Sequence, residues 1–367
     1  MLCSGFGLGF YIPGILIRNH LRSLDVPARS EVFESLIEES KLSAVDRTRD
    51  AYAKDFKVAL ASQRIPNDIR NNIDSERLRS TLARWHAEDR RSFICLSGHW
   101  VHVLDIYRQQ RPDVELLVDL LHLDADDSPS WKQVRKLVPN YEAPYRVVQL
   151  YDVGAMQINY RVNTSTVPAL PFDKRNRRLV VHGGGWGIGT YRDRVAELES
   201  AGFALDMVSY GPQVPDPDAT SRRRYFSEDP FWRPWHLETG GDCGFPPPGI
   251  LSTGLDETRI SVQSGSHGLY ELIRSASAIV SKPGAGTLID SLGSCTPLVM
   301  LEPFGAHEEA NANVWSAQGF GISYRDWAAA GYANSILETM HSRLMERKER
   351  IAEYVSTLIE DMQEVAQ

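Results

Sequence analysis

Three glycine-rich stretches constrain this chain most. Gly5–Gly9, Gly183–Gly189 and Gly284–Gly286 each stand directly after a short apolar run and before a segment of helical pattern. Glycine lets the backbone approach an anion closely, and the following helix points unpaired N–H groups and about half a positive charge at it. The same arrangement also serves as a plain tight turn between strand and helix, so any one loop alone supports both readings. No G-x-x-x-x-G-K-[ST] occurs, which disfavours a P-loop kinase or ATPase. An acidic residue, Asp25, lies about twenty positions beyond the first loop, but no second strand leads to it, so a dinucleotide fingerprint is not made.

The rest of the chain repeats the strand–loop–helix theme. Met1–Ser4 reads as a strand stub, and Pro13 opens a helix to about Leu24. Residues 28–90 are charged and helical in pattern. Strands are expected at Ser92–Ser97 and Val114–Leu121, with a helix to about Gln110 between them. Thr164–Asn176 carries two prolines and a basic cluster without periodicity, placing a domain boundary near 165–177. Alternation resumes with strand Leu179–His182, a helix over 191–201 and strand Ala204–Tyr210. After residue 260 it continues through strand Ala278–Ser281, helix Thr287–Gly293, strand Pro297–Leu301 and helix Ala310–Gln318. Such alternation predicts an α/β fold with mainly parallel sheet. Residues 212–250 break the pattern with eight prolines, Trp232, Trp235 and three consecutive arginines, and are too long for an ordinary connection. The tail from Ala333 to Glu364 reads as one long amphipathic helix.

Composition narrows the class. At about 150 residues per domain, 367 residues predict two domains. A net charge of −8 offers no general attraction to phosphate backbones, so nucleic acid is not an expected partner. No apolar run is long enough to span a membrane. The four cysteines, Cys3, Cys95, Cys243 and Cys295, lack zinc-ligand or C-x-x-C spacing and predict reduced, packed thiols. The apolar N-terminus lacks a basic leader and carries glycines and a proline, unlike a signal peptide. A cytoplasmic location is therefore expected.

Ser281-Lys-Pro-Gly-Ala-Gly-Thr-Leu-Ile-Asp290 resembles the donor-binding segment of GT-B glycosyltransferases. It is followed by Gly293-Ser-Cys-Thr-Pro297, His307-Glu-Glu-Ala-Asn-Ala312 and Gly319-Phe-Gly321. The likeness spans about 179–325 and is similar to lipid-II-forming N-acetylglucosaminyltransferases and natural-product UDP-sugar transferases. It implies two Rossmann-like domains facing across a cleft: 1–165 for the acceptor, 177–332 for the nucleotide sugar, and a tail, 333–367, crossing back to the first. It also implies an inverting transfer from a UDP-type sugar to a small-molecule, natural-product-like acceptor, with no metal and no tightly bound cofactor.

Carried over by position, Gly184, Gly185, Trp186, Gly187, Gly189, Thr190, Gly284, Ala285, Gly286 and Thr287 would hold the diphosphate. Asp290 would take the ribose hydroxyls where the family usually has Glu, and His307, Glu308, Glu309 and Asn311 would face the sugar. Many relatives have His in the first loop, where this chain has Gly9. His99, after a buried strand, and Asp119, in the next one, are the candidate catalytic bases, since an imidazole titrates near neutrality and strand ends face active sites. Gly7, Gly9, Tyr11, His122 and Trp232 are the candidate acceptor contacts. The apolar side chains Phe6, Leu8, Phe10, Tyr11 and Ile12 leave peripheral membrane contact open. Two other readings share this fold: a nucleotide-sugar hydrolase or 2-epimerase, and a non-catalytic nucleotide-sugar scaffold.

Overall fold

Strands buried on both faces organise the molecule. Val180, Val181, Ile279, Val280, Leu298 and Val299 have no solvent exposure, which a parallel sheet covered by helices on each side requires. The computed structural model describes residues 1–63, 68–209, 222–227, 229, 232–236, 242–247, 250–253, 256–259 and 267–365.

The first sheet contains β1 (Leu2–Cys3), β2 (Glu31–Val32), β3 (Ser92–Cys95), β4 (Leu117–His122) and β5 (Arg146–Gln149), all parallel, in the order β2-β1-β3-β4-β5. Three two-residue strands follow: β6 (Tyr151–Asp152), β7 (Gln157–Ile158) and β8 (Tyr160–Arg161). The second sheet contains β9 (Arg178–His182), β10 (Ala204–Ser209), β11 (Arg223–Ser227), β12 (Ile250–Thr253), β13 (Asp256–Arg259), β14 (Ala278–Ser281), β15 (Leu298–Met300) and β16 (Gly321–Ser323). Its order is β13-β12-β11-β10-β9-β14-β15-β16, antiparallel only at β11–β12–β13.

Strand order reverses between β1 and β3 in the first sheet and between β9 and β14 in the second. A crevice opens at such a switch point beyond the carboxyl ends of the strands, because the two adjoining connections leave to opposite faces. The loops at these four ends are Ser4–Gly9, 96–99, Gly183–Gly189 and Lys282–Gly284. All three glycine-rich stretches therefore sit where an α/β sheet binds ligands.

Several sequence expectations change. The charged region 28–90 is not wholly helical. It contains β2 and 3₁₀ turns at Phe33–Leu36 and Ile69–Asn72 beside helices Glu39–Lys54, Phe56–Ser62 and Ser75–Ala87. Residues 128–162, which show no clear period, form helix Pro129–Leu137 and β5 to β8. The first turn of the helix expected over 191–201 is a 3₁₀ turn, Tyr191–Arg194, before helix Val195–Ser200. Ile260–Val262, where the sequence pattern restarts the alternation, lies outside the described residues.

The tail is not one helix. Helices Asn334–Lys348 and Tyr354–Val365 are separated by β17 (Ala352–Glu353), which pairs in parallel with β8. The Glu353 carboxylate accepts the Ser356 N–H at 2.9 Å and so caps the second helix. The Tyr354 hydroxyl then donates to Asp119 on β4 at 2.7 Å, and the tail meets the first sheet there. Between the sheets, Arg175 is buried and donates to the carbonyls of Ala276, Ser294 and Cys295 and to Thr296 Oγ1. It thereby helps to satisfy the carbonyls at the C-terminal end of helix Ala285–Ser294, where His341 Nδ1 also lies 2.7 Å from the Cys295 carbonyl. No described helix is long and apolar enough to cross a membrane. None of the four cysteines is joined in a disulfide, and all four are buried.

Candidate functional site

The switch-point loops of the two sheets face one another around a cavity of about 310 Å³. Gly184 and Gly189 adopt φ of 73° and 128°, which only glycine accepts without strain, so the second loop curls back over the end of β9. Lys282 fills the space this leaves. A Cβ placed on Gly184, Gly189 or Gly284 would lie within 4.0 Å of the Lys282 side chain. Its ammonium is ion-paired with the buried Glu308 carboxylate, whose other oxygen accepts the Phe304 N–H at 2.6 Å. Helix Ala285–Ser294 starts beside it at Gly284 with no side-chain cap, so its first N–H groups remain available. A cation, two glycine loops and an open helix N-terminus therefore converge on one spot, an arrangement suited to a diphosphate.

Asp290 lies on this helix and lines the cavity, but its Oδ1 is hydrogen-bonded to His267 Nε2 at 2.8 Å. The shorter carboxylate is thus joined to an imidazole from the start of helix Gly268–Ser275, and both line the cavity. His307 and Glu308 line it too, from helix Ala306–Gln318.

The first sheet contributes an apolar wall. Phe6, Leu8, Phe10 and Ile12 from the first loop, with Tyr52, line the cavity with Trp186. Phe6 and Tyr52 ring centroids lie 5.9 and 6.3 Å from Trp186. Leu8, at a left-handed φ of 62°, rests on Gly185, where a Cβ would meet Leu8 Cγ at 2.5 Å. Polar contacts reinforce this closure. Gln63 Nε2 donates to the Phe304 carbonyl at 3.0 Å, and Arg192 Nη1 donates to the Ala53 carbonyl at 3.0 Å.

Glu34 anchors the first loop from behind. Its carboxylate accepts the Gly5 N–H at 2.8 Å and the Ser4 hydroxyl at 3.0 Å, and burial pushes its carboxyl up to about 7. The folded state therefore holds a proton that the unfolded chain releases between pH 4.5 and 7, so Glu34 contributes stability at pH 5 that is lost as pH rises through 7. Glu34→Gln, an isostere able to accept from Gly5 and donate to Ser4, should remove this loss. Melting curves from pH 5 to 8 should fall more steeply for the wild type, by up to about 1.4 kcal/mol per pH unit. His99 and His182, which burial lowers to about 4 and 3, act with opposite sign but equally in both proteins. Parallel curves would remove this role of Glu34.

The structure brings together Gly7, Gly9, His99, Gly184, Gly185, Trp186, Gly284, Ala285, Gly286, Thr287, Asp290, His307 and Glu308 around the cavity. It does not bring Asp119 there. Asp119 sits mid-strand, accepting from Arg146 at 2.6 and 2.7 Å and from Tyr354, so both oxygens are committed away from the cleft. His122 is also displaced: its ring stacks on Trp131 at 4.3 Å, with Nδ1 3.5 Å from Asp127. Tyr11 and Trp232 form a packing pair, centroids 5.6 Å apart, and the Tyr11 hydroxyl donates to the Gly244 carbonyl.

Gly187 and Gly189 shape the loop without lining the cavity, and the Thr190 hydroxyl donates to Glu302. Glu309 is exposed on the outer side of its helix. Asn311 is fully buried with its whole amide in use. Its Oδ1 accepts the Ala125 N–H at 2.7 Å, and its Nδ2 donates to Asp124 and to the Pro283 carbonyl. It is a clasp between the two halves rather than a free sugar contact. The arginines of the long insertion are similarly occupied, with Arg223 on Glu199 and Arg224 bidentate to Asp206. Described parts of that segment stitch it to the first loop. Arg18 pairs with Asp242, a Cβ on Gly5 would touch Pro234, and Pro246 and Pro247 line the cavity.

The sequence reading assigns no site role to Lys282, Asp124, His182 or His267. Lys282 was visible, being the one cation inside the quoted glycine motif. Asp124 emerges from the loop after β4 and lines the cavity, hydrogen-bonded to Asn311 at 2.8 Å, and burial pushes its carboxyl above the ordinary range. Among the described residues no group of three or more acidic, His or Cys side chains is arranged to hold a metal.

No family model matches this chain, and no curated protein matches it. Solved structures do. The glycosyltransferase SnogD from Streptomyces nogalater is similar at TM-score 0.53 and 14% identity, over 98% of each chain. SsfS6, a glycosyltransferase of Streptomyces sp. SF2575 complexed with thymidine diphosphate, is similar at 0.54 and 11%, over 99% of this chain and 98% of its own. MurG of Acinetobacter baumannii is similar at 0.53 and 11%, over 98% of each. With its two switch-point crevices face to face, the chain has the GT-B fold. At these identities the likeness is one of fold.

Proposed function

We propose that the protein transfers a sugar from a pyrimidine nucleoside diphosphate donor to a small acceptor with an apolar face. The observation that carries this reading is Lys282, set among glycines of both loops at the β9/β14 switch point. The donor diphosphate takes Lys282 and the loop amides, which stabilise the negative charge that develops as it leaves. Glu308 and His307 stand beside the sugar, and the Asp290–His267 pair faces the ribose. The acceptor lies along Phe6, Phe10, Tyr52 and Trp186, whose apolar surface suits an organic acceptor better than water. This favours a transferase over a hydrolase.

The acceptor oxygen attacks the anomeric carbon, the bond to the diphosphate breaks, and its electron pair leaves with the diphosphate. One such displacement inverts the anomeric configuration. The acceptor proton goes to Asp124, which stands where the two halves meet, with its carboxyl raised by burial. His99 lines the same cavity, but burial between Phe6 and Phe33 lowers its imidazole to about 4, which makes it a weak base. We assign it to the acceptor wall.

UDP is the donor nucleotide expected from the sequence, and dTDP is the second reading, favoured by the thymidine diphosphate in the SsfS6 complex. A thermal-shift series with UDP, dTDP, ADP and GDP tests both. Stabilisation by UDP or dTDP above the purine nucleotides is expected, since a ligand held by the folded state raises apparent stability. Stabilisation by none of the four overturns the proposal.

A further inference from the structure

His182 is the last residue of β9 and is 3% exposed on the cavity wall. Its Nδ1 accepts the Gly184 N–H at 3.0 Å and lies 3.4 Å from the Ser281 hydroxyl. A ring nitrogen that accepts a backbone N–H carries no proton, so in the neutral ring the hydrogen is on Nε2. The ring is neutral in the working range, because burial, with Lys282 and His267 nearby, lowers it to about 3. Nε2–H thus has a defined proton, yet it is buried and has no hydrogen-bond partner among the described residues. A buried donor without an acceptor is costly and rare in a folded protein.

Its surroundings say what is missing. Lys282, the amides of the 183–189 loop and the N-terminus of helix Ala285–Ser294 are all donors or cations, so an acceptor oxygen with negative charge completes the set. Resting on the reading of this cleft as a nucleotide-sugar site, we infer that His182 is a donor-binding residue whose Nε2–H hydrogen-bonds a diphosphate oxygen. The residue also positions the loop through Nδ1. One imidazole therefore holds the glycine loop with one nitrogen and the anion with the other.

The two roles separate by substitution. His182→Asn keeps an acceptor near the position of Nδ1 for the Gly184 N–H and removes the Nε2 donor. His182→Gln places an amide nitrogen near the position of Nε2. Calorimetric titrations of wild type and both variants with UDP, dTDP, inorganic pyrophosphate and, at millimolar concentration, uridine and thymidine test the inference, with melting curves to check folding. His182→Asn should weaken whichever of UDP and dTDP the wild type binds, and pyrophosphate, about tenfold, and leave the nucleosides unchanged, while His182→Gln regains most of the loss. Unchanged diphosphate affinity in His182→Asn overturns the inference. An equal loss for nucleosides and diphosphates also overturns it, by making the residue a scaffold or a base contact. Wild-type protein that binds neither UDP, dTDP nor pyrophosphate overturns the transferase reading itself, a result distinct from either of these.

Discussion

Lys282→Met is expected to lower kcat/KM for sugar transfer by about 10² to 10³, the usual effect of deleting one preorganised group that stabilises departing charge in a dry site. The methionine keeps the length of the side chain and removes only the ammonium. UDP or dTDP should bind more weakly in the same variant, because the cation faces the diphosphate in the ground state as well as during departure. A complication is built into the site. Glu308 is 2% exposed, and removing its cationic partner leaves a buried carboxylate held, among the described residues, by the Phe304 N–H. Breaking such a pair from one side is strongly destabilising. The double variant Lys282→Met/Glu308→Gln removes both charges and separates the two effects. It should melt near the wild type and still fail to bind the nucleotide well. Wild-type nucleotide affinity in the folded double variant would take the diphosphate away from Lys282.

Asp124→Asn is expected to lower kcat by about 10² to 10⁴, the range of a lost general base, with donor affinity nearly unchanged. The substitution preserves the acceptor for Asn311 Nδ2, so the clasp between the halves should survive. The pH dependence carries a second signature. Burial raises the Asp124 carboxyl, so the acid limb of the rate profile should lie above the ordinary carboxylate range. Activity should fall as pH drops through that limb, because only the ionised form accepts the proton. His99→Gln should cost less than tenfold and leave the limb in place. A large loss in His99→Gln with normal turnover in Asp124→Asn would reverse the two assignments. Product release assayed with a panel of flat, hydroxylated aromatic acceptors provides the measurement.

Much of the cleft is written in local pattern. Strand runs such as Leu179–His182 and Ala278–Ser281 are continuous and apolar, and glycine follows each, so strand, turn and helix start are legible together. Lys282 and Glu308 both stand in the recognised stretch, one just past the end of β14 and the other in the first turn of helix Ala306–Gln318. Asp119 was misleading for a reason the pattern does not contain. On a strand, successive side chains point to opposite faces, and Asp119 turns toward Arg146 and a tyrosine 235 residues away in sequence. Asn311 stands one turn beyond His307 and Glu308 on the same helix, but partners at Asp124, Ala125 and Pro283 use its whole amide. The tail shows the same limit. Its apolar stripe runs through 350–353, yet the chain leaves the helix there to pair with β8, a partner almost two hundred residues earlier.

What the sequence determined by itself was the kind of fold and the position of the glycine loops, since periodicity and glycine act within a dozen residues. It also determined that any positive potential must be local, because a chain of net charge −8 has none to spare overall. Only the tertiary structure decided which charges face the cleft. Ion pairing and burial depend on groups that meet across elements far apart in sequence, and their energies are set by who is near whom in space rather than along the chain.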